Sequence, residues 1–390
     1  MMRAGGAPRL RPGEVDVLID CDSHLFEPVD LWARYADPAD RDVAMRIEGD
    51  ELGYSWLVCG DRKLTLAEPH IPKQVDGIGA YRQRMLQGLP STLDYPSFAA
   101  PYSDVGAVVS RLDTAGFDAA VLFPNYGIVF ERPLADDLRA TLVNMAAWNR
   151  WAADVAGEGR GRLHPVGHVT LRDLDWLEGQ LAALAAGGVR LALMAPALVD
   201  GRRLSDPALA RAWAAFVDHG ITPVFHVANQ ARPFDDAWYG EDLLGGVSPL
   251  NTIFIWTGAA LAITDLILNG VLERHPDLRI GVMELSATWV PLHLQLMDGG
   301  RRFTARFNGE ASALTMMPSD YFRRQVRVAA FPQEQPGLLT ERVGDLFMAC
   351  SDYPHTEGTD TPFADYGAVD VGPGSHPGLF GDNVAFLLRA

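Results

Sequence analysis

The sequence predicts a parallel (β/α)8 barrel of the TIM type, on three observations. Eight short apolar or β-branched runs recur along the 390 residues, amphipathic segments separate them, and ionisable side chains gather where the runs end. The runs are 15–21, 117–123, 163–169, 189–194, 221–227, 278–285, 326–331 and 346–351. Amphipathic stretches at 136–155, 174–186, 208–219, 259–274 and 288–297 read as the intervening helices. A doubly wound sheet competes, but it needs a glycine-rich phosphate turn after the first strand. Here Ser23-His24-Leu25-Phe26-Glu27-Pro28 follows instead.

One barrel domain is expected over 1–390, with two long insertions. The insertion at 25–102, after the first strand, carries Trp32, Tyr35, Tyr54, Trp56, Tyr81, Tyr95 and Phe98. The insertion at 228–257, after the fifth, carries Phe234, Trp238, Tyr239, Phe254 and Trp256. Both leave the strand end where barrel active sites form, so they read as an aromatic lid over an apolar pocket or as the interface of a homodimer.

Fifty acidic against 33 basic residues, a net charge of −17, exclude nucleic acid and an anionic membrane surface as partners. Cys21, Cys59 and Cys350 form no CxxC pair, no apolar run follows Met1, and no stretch reaches the length of a membrane span. A soluble cytoplasmic enzyme with a small-molecule substrate is expected. No lysine lies beyond Lys73, so no lysine-derived carbamate bridges two metals in the second half of the chain.

Side chains alternate along a strand, so Asp20, Asp22 and His24 are expected on one face. His226, Glu284 and Asp352 each close a later apolar run, and His355 follows Asp352 by three residues. One such residue reads as a satisfied core group. Five converging at one rim (Asp22, His24, His226, Glu284 and Asp352) read as metal ligands.

The chain carries five runs that resemble one family. They are Asp22-Ser23-His24 with Glu27-Pro28 and Asp30-Leu31-Trp32, Arg111-Leu112-Asp113-Thr114-Ala115-Gly116-Phe117-Asp118, His275-Pro276-Asp277-Leu278-Arg279-Ile280, Glu284 with Trp289-Val290-Pro291, and Ser351-Asp352-Tyr353-Pro354-His355. From Asp16 to the C-terminus the chain resembles the amidohydrolase-related, decarboxylase-like metal barrels. The resemblance implies a metal-binding enzyme with Asp22, His24, His226 and Asp352 as ligands. It departs from the family at Glu284, where decarboxylating and hydrolytic relatives commonly have an acid/base histidine, and at Asp22, where many have histidine.

A site richer in carboxylate suits iron or manganese better than zinc. With Glu284, and with Glu27 or His355, it has ligands for two ions. In this respect it resembles a small branch of the family, the non-haem diiron hydroxylases of diterpenoid biosynthesis. The expectation from sequence therefore leans to a dinuclear iron monooxygenase that uses O2 to hydroxylate a bulky, terpenoid-like substrate in secondary metabolism. The alternative is a decarboxylase or hydrolase with one zinc or manganese, acting on a carboxylated substrate, with Glu284 and His355 as catalytic groups. A non-catalytic binding barrel is the third reading.

Asp20, Glu27 and His168 stand in reserve, as partners of the ligands or for a second ion. Asp20 reads as a residue that orients a ligand, Glu27 as a cap for the turn before Trp32, and His168 as a hydrogen-bonded core histidine. Arg172, Asn229 and Arg232 are candidates for a substrate carboxylate. His70, His164, His219, His275, His293 and His376 read as surface or capping residues.

Overall fold

Each of the eight apolar runs carries strand structure in the computed structural model, which describes residues 17–66, 83–227, 249–308, 314–355 and 357–389 together with Phe234 and Trp238. β1 (Ile19–Leu25) begins the chain of strands. β2 (Met45–Gly49), β3 (Ser55–Cys59) and β4 (Arg62–Leu66) form a separate antiparallel sheet. β5 (Ala119–Pro124) pairs in parallel with β1 on one side and with β6 (Leu163–Pro165) on the other. A second parallel sheet runs in order through β7 (Gly167–His168), β8 (Leu191–Leu193), β9 (Thr222–Phe225), β10 (Ile280–Val282), β11 (Val326–Ala329) and β12 (Phe347–Met348).

The two parallel sheets touch at both ends. Only Val166 separates β6 from β7, and its N–H donates to the Leu122 carbonyl at 2.9 Å. At the other end Cys21 N–H donates to Ala349 O at 3.0 Å, Asp352 N–H to Asp22 O at 2.8 Å and His24 N–H to Tyr353 O at 2.9 Å. The fold is α/β with parallel sheets, and its strands are apolar on both faces because both faces are covered. Ile19, Cys21, Val121, Val166, Leu193, Val224 and Met348 pack in an inner core. Leu122, Trp148, Leu181, Trp213 and Phe216 pack between strands and helices.

The helices start and stop on local signals. Asp173 accepts from the N–H groups of Asp175 and Trp176 to open Leu174–Ala186, the span the periodicity predicts. Asp104 opens Val105–Ala115 by accepting from Ala107 N–H, and Gly116, at φ 88°, ends it in the left-handed region. The long helix Leu138–Gly159 buries Trp148, whose indole N–H donates to Val166 O at 2.8 Å and so fixes the helix against the β6–β7 junction.

Two boundaries differ from the sequence reading. β1 runs on to Leu25 rather than ending near Cys21, because its polar residues are wholly buried and still pair along the strand. The 25–102 insertion contains folded structure: β2–β4 pack on helix Leu138–Gly159, where Asn144 accepts from Met45 N–H at 2.7 Å and donates to Val43 O at 2.8 Å. The signal for this hairpin was Gly60-Asp61, a two-residue turn with Gly60 at φ 56°. Of the 228–257 insertion only Phe234, Trp238 and the part from Pro249 lie within the described residues. The run Pro249–Leu268, 20 residues, does reach the length and apolarity of a membrane span, contrary to the sequence reading; Ala259, Ile263, Leu266 and Ile267 within it pack into the outer core.

Candidate metal centre

Strand ends bring six ionisable side chains together. Asp22 and His24 lie on β1, His226 follows β9, Glu284 follows β10, and Asp352 and His355 follow β12. β1 presents its pair through a bulge: Asp20 is in register with Ala120, but Ser23 with Leu122. Three residues thus cover the rise of two, and the facing of side chains switches across the bulge. Asp20 and Ser23 face the helices with Ala120 and Leu122, whereas His24 faces inward with Phe123. The expectation that Asp20 shares a face with Asp22 and His24 is therefore corrected.

His24 Nε2 lies 3.6 Å from Asp22 Oδ1, 3.3 Å from Asp352 Oδ1 and 3.9 Å from Glu284 Oε2. His226 Nε2 lies 3.5 Å from Asp22 Oδ1 and 3.0 Å from Glu284 Oε2. His355 Nδ1 lies 2.9 Å from Asp352 Oδ1 and 4.0 Å from Glu284 Oε2. Two sets have all their donor atoms within 4.8 Å of one another: Asp22, His24 and His226, and His24, Glu284, Asp352 and His355.

Both sets include His24, whose Nε2 is the ring nitrogen turned to the cluster. Nδ1 lies 3.1 Å from Pro124 O, a carbonyl that only accepts, so Nδ1 carries the proton. Nε2 is left with one lone pair, which serves one ion. His226 is held the same way, with Nδ1 2.9 Å from Val227 O and Nε2 in the cluster.

The electrostatics of the cluster call for a cation. Both carboxylate oxygens of Asp22 and of Asp352, His226 Nε2 and Glu284 Oε2 are buried and make no hydrogen bond. Buried charge in that condition costs several kcal/mol unless an opposite charge compensates it. Burial, then the charge of Asp352, pushes the Glu284 carboxyl up to about 8. Burial, then Asp22, holds Asp352 well above the usual carboxylate range. Burial works against the His226 imidazolium, but Asp22 and Glu284 outweigh it and hold that group well above its ordinary value. Glu284 and Asp352 also sit at φ 50°, a left-handed conformation costing on the order of 1–3 kcal/mol for a non-glycine residue, as strained residues at functional sites do.

The remaining candidates hold the cluster in place or lie elsewhere. Asp20 accepts from Ser351 N–H at 2.8 Å and from Ser351 Oγ, and burial, opposed by Arg111, raises it to about 6. It thereby clamps the loop that carries Asp352. Ser23 Oγ donates to Tyr353 O at 3.0 Å, and Arg111 donates to Ser23 Oγ at 3.0 Å while its guanidinium lies over the Tyr353 ring. Glu27 neither caps the turn before Trp32 nor joins the cluster. Its carboxylate accepts from the N–H groups of Asn125, Tyr126 and Gly127, and burial pushes it up to about 7.

Asn125 in turn meets His355, with Oδ1 2.8 Å from Nε2. Asn125, Arg111 and Ser351 had no assigned role in the sequence reading. Arg111 and Ser351 lie in quoted motifs, but the residue type of Asn125 carried no signal. His168 is buried at the end of β7, where burial drives its imidazole down to about 3 against a hydrogen bond with the Gly127 backbone, and it joins neither ligand set. Arg172 pairs with Asp200 at 3.0 Å. His164, His219, His275, His293 and His376 join neither ligand set. His70, Asn229 and Arg232 lie outside the described residues.

The chain matches no known family model and no curated protein. Among solved structures it is similar to an amidohydrolase from Mycobacterium avium subsp. paratuberculosis, with a TM-score of 0.76 and 22% identity over 95% of this chain and 99% of that one. The chain shares its fold. It is also similar to the 5-carboxyvanillate decarboxylase of Novosphingobium aromaticivorans, solved with bound manganese (TM-score 0.62, 18% identity, 82% of this chain and 95% of that one). A dihydroxybenzoic acid decarboxylase from a Polaromonas species, solved with manganese and the inhibitor 2-nitroresorcinol, gives a TM-score of 0.61 at 13% identity over 96% and 98% of the two chains.

The loop after β12 yields a first expected result. A Cβ at Gly358 would lie 2.5 Å from the backbone oxygens of both Ser351 and Asp352, which have no freedom to swing aside. Gly358→Ala is expected to displace Asp352 and weaken divalent-metal binding by roughly 10–100-fold, the usual effect of disturbing a ligand's support. Titration calorimetry on the folded variant checks this; unchanged affinity would show that the loop position does not matter to the cluster.

Proposed function

We propose that the chain is a closed (β/α)8 barrel that binds one divalent cation, manganese for preference, and decarboxylates a carboxylated aromatic without O2. The observation that carries the reading is the compact cluster in which Asp22, His24 and His226 bring their donor atoms within 4.8 Å of one another, with His24 Nε2 turned to them by the hydrogen bond of Nδ1 to Pro124 O. Closure of the barrel is supported by the Val166 junction and by the backbone bonds between β1 and the segment after β12. The likeness in fold to manganese-bound decarboxylases favours this alternative over the dinuclear iron hydroxylase towards which the sequence leaned.

Exposure divides the six side chains by role. Those of Asp22, His24, His226 and Asp352 are 0% exposed and would hold the ion, whereas Glu284 at 12% and His355 at 7% are the members a substrate could meet. When bound, a divalent cation supplies Lewis-acid polarisation of a substrate oxygen. Glu284, whose protonated form burial and Asp352 favour in the metal-free cluster, is the candidate proton donor. Delivering that proton to the ring carbon that bears the carboxylate lets the C–C bond break and CO2 leave. Asn125 fixes the orientation of the His355 ring beside it.

Metal analysis together with CO2 release from 5-carboxyvanillate and dihydroxybenzoates under strictly anaerobic conditions tests the reading. About one metal per chain and O2-independent turnover are expected. Two irons per chain, with turnover that requires O2, would overturn it.

The raised groups also set a pH dependence. Glu284 is raised to about 8 and Asp352 lies well above its ordinary value, so in the metal-free protein their contribution to stability is present at low pH. It is lost as pH rises through their folded values. His226, held above its ordinary value, loses stabilisation in the same direction. The metal-free protein is therefore expected to weaken between about pH 5 and pH 8, and added Mn2+ to raise the melting temperature more at pH 8 than at pH 6. Thermal denaturation with and without chelator measures both.

A further inference from the structure

The helix Val290–Asn308 is apolar on two sides. Val290, Leu294 and Met297 are buried where the helix meets the outer core. Leu292, Leu296, Phe303 and Phe307 form a second, exposed stripe at spacings of four, seven and four residues. At about 100° per residue this stripe falls within roughly 60° of arc, turned roughly 140° away from the buried one. A helix on the surface of a monomer ordinarily carries polar residues there.

The apolar surface continues onto the neighbouring helix, Thr257–Leu268, where Thr264 Oγ1 lies 2.9 Å from His293 Nε2 and the Trp256 and Trp289 rings stack at 5.8 Å. Leu261 and Leu268 stand one helical turn to either side of Thr264, and both are exposed. The six side chains are between 45% and 73% exposed. Together they present on the order of 700 Å2, more than the roughly 300–600 Å2 of the largest patch on a typical monomer and close to the roughly 800 Å2 that each partner gives to a standard interface. The exposed Arg302 and Arg306 border the stripe, as arginine does at the rim of an interface.

Gly299 and Gly300 sit at the middle of the stripe. Glycine inside a helix destabilises it, and a Cβ added at either position would meet nothing within 4 Å among the described residues. Packing within the chain therefore supplies no reason for the pair, whereas close approach of another backbone does.

The stripe is also symmetric about the Gly299–Gly300 bond. Leu296 and Phe303 are equidistant from it, and so are Leu292 and Phe307. When two antiparallel helices are related by a two-fold axis, each residue meets the one equidistant from the centre. Such a pair sets leucine against phenylalanine four times, with the glycines at the crossing. A lipid surface makes no use of that symmetry.

We propose that this face binds a second copy of the chain, with the helix Val290–Asn308 packed antiparallel on its counterpart across a two-fold axis at Gly299–Gly300. Leu296 then meets Phe303 of the partner subunit, and Leu292 meets Phe307 of the partner subunit. The interface lies on the outer helices rather than on the aromatic insertions where the sequence reading placed it, and it is independent of the decarboxylase reading.

Sedimentation velocity of the full-length protein at micromolar concentration tests the proposal. The wild-type chain is expected to be a dimer. Leu296→Glu and Phe303→Arg are each expected to raise the dissociation constant at least about a hundredfold, because every change enters a two-fold interface twice. Both positions are exposed, so the circular dichroism of the variants should be unchanged. Mixing the two variants in equal amounts is expected to restore dimers, since the mixed pair sets one glutamate against one arginine and keeps one leucine–phenylalanine contact. Should either variant misfold, Leu292→Glu and Phe307→Arg replace the pair. A monomeric wild-type chain, a dimer that survives either substitution, or a mixture that stays monomeric overturns the proposal. Flotation of a monomeric chain with vesicles of phosphatidylcholine and phosphatidylglycerol would assign the face to a lipid surface and overturn it as well.

Discussion

Asp352→Asn is expected to abolish metal binding and turnover while making the metal-free protein more stable. Asp352 is wholly buried, with neither oxygen hydrogen-bonded, and it stands 3.3 Å from His24 and 2.9 Å from His355. The amide keeps the shape but removes the charge and one ligand oxygen, so Mn2+ affinity should fall by well over about a hundredfold, more than disturbing a supporting residue costs. Asparagine also tolerates the left-handed backbone at this position, so folding is preserved. Because burial and Asp22 oppose ionisation of Asp352, neutralising it relieves like-charge crowding in the absence of metal. A melting temperature raised by a few degrees in the presence of chelator is expected, at about 2–4 °C per kcal/mol for a chain of this order of size. A variant that binds Mn2+ at wild-type stoichiometry would remove Asp352 from the ligand set.

Glu284→Gln is expected to have the next largest effect and the opposite signature. Glu284 is the most exposed member of the cluster, at 12% side-chain exposure, and its Oε2 lies 3.0 Å from His226. As a proton donor it is replaceable in shape by glutamine but not in function. Metal content should stay at one per chain, while turnover falls by roughly 10²–10⁴-fold, the usual contribution of a positioned acid or base. The pH–rate profile should also lose the limb that Glu284 supplies. Loss of metal together with activity would instead make Glu284 a ligand and revive a carboxylate-rich centre. This one substitution separates the two roles that the sequence left open.

Much of the architecture was legible in the residues. The eight apolar runs, the helix at Leu174–Ala186 opened by Asp173, and the placement of Asp22 and His24 on the first strand and of His226, Glu284 and Asp352 just past later ones all follow from periodicity and residue type. Those signals are local, because a strand buried on both faces must be apolar throughout, and a polar side chain at its end has one open direction.

What the tertiary structure decided depends on partners far along the chain. The bulge in β1 turns Asp20 away from Asp22, and it exists only in the register with Ala120 and Leu122. Glu27 finds its acceptor role in the backbone of residues 125–127, and Asn125 meets His355, both about a hundred residues or more away in sequence. The tautomer of His24 follows from the carbonyl of Pro124, which fixes the proton on Nδ1 and leaves the Nε2 lone pair for the cluster. Residue type supplied the candidate ligands; the hydrogen bond on the far side of one imidazole ring set which nitrogen His24 turns to them.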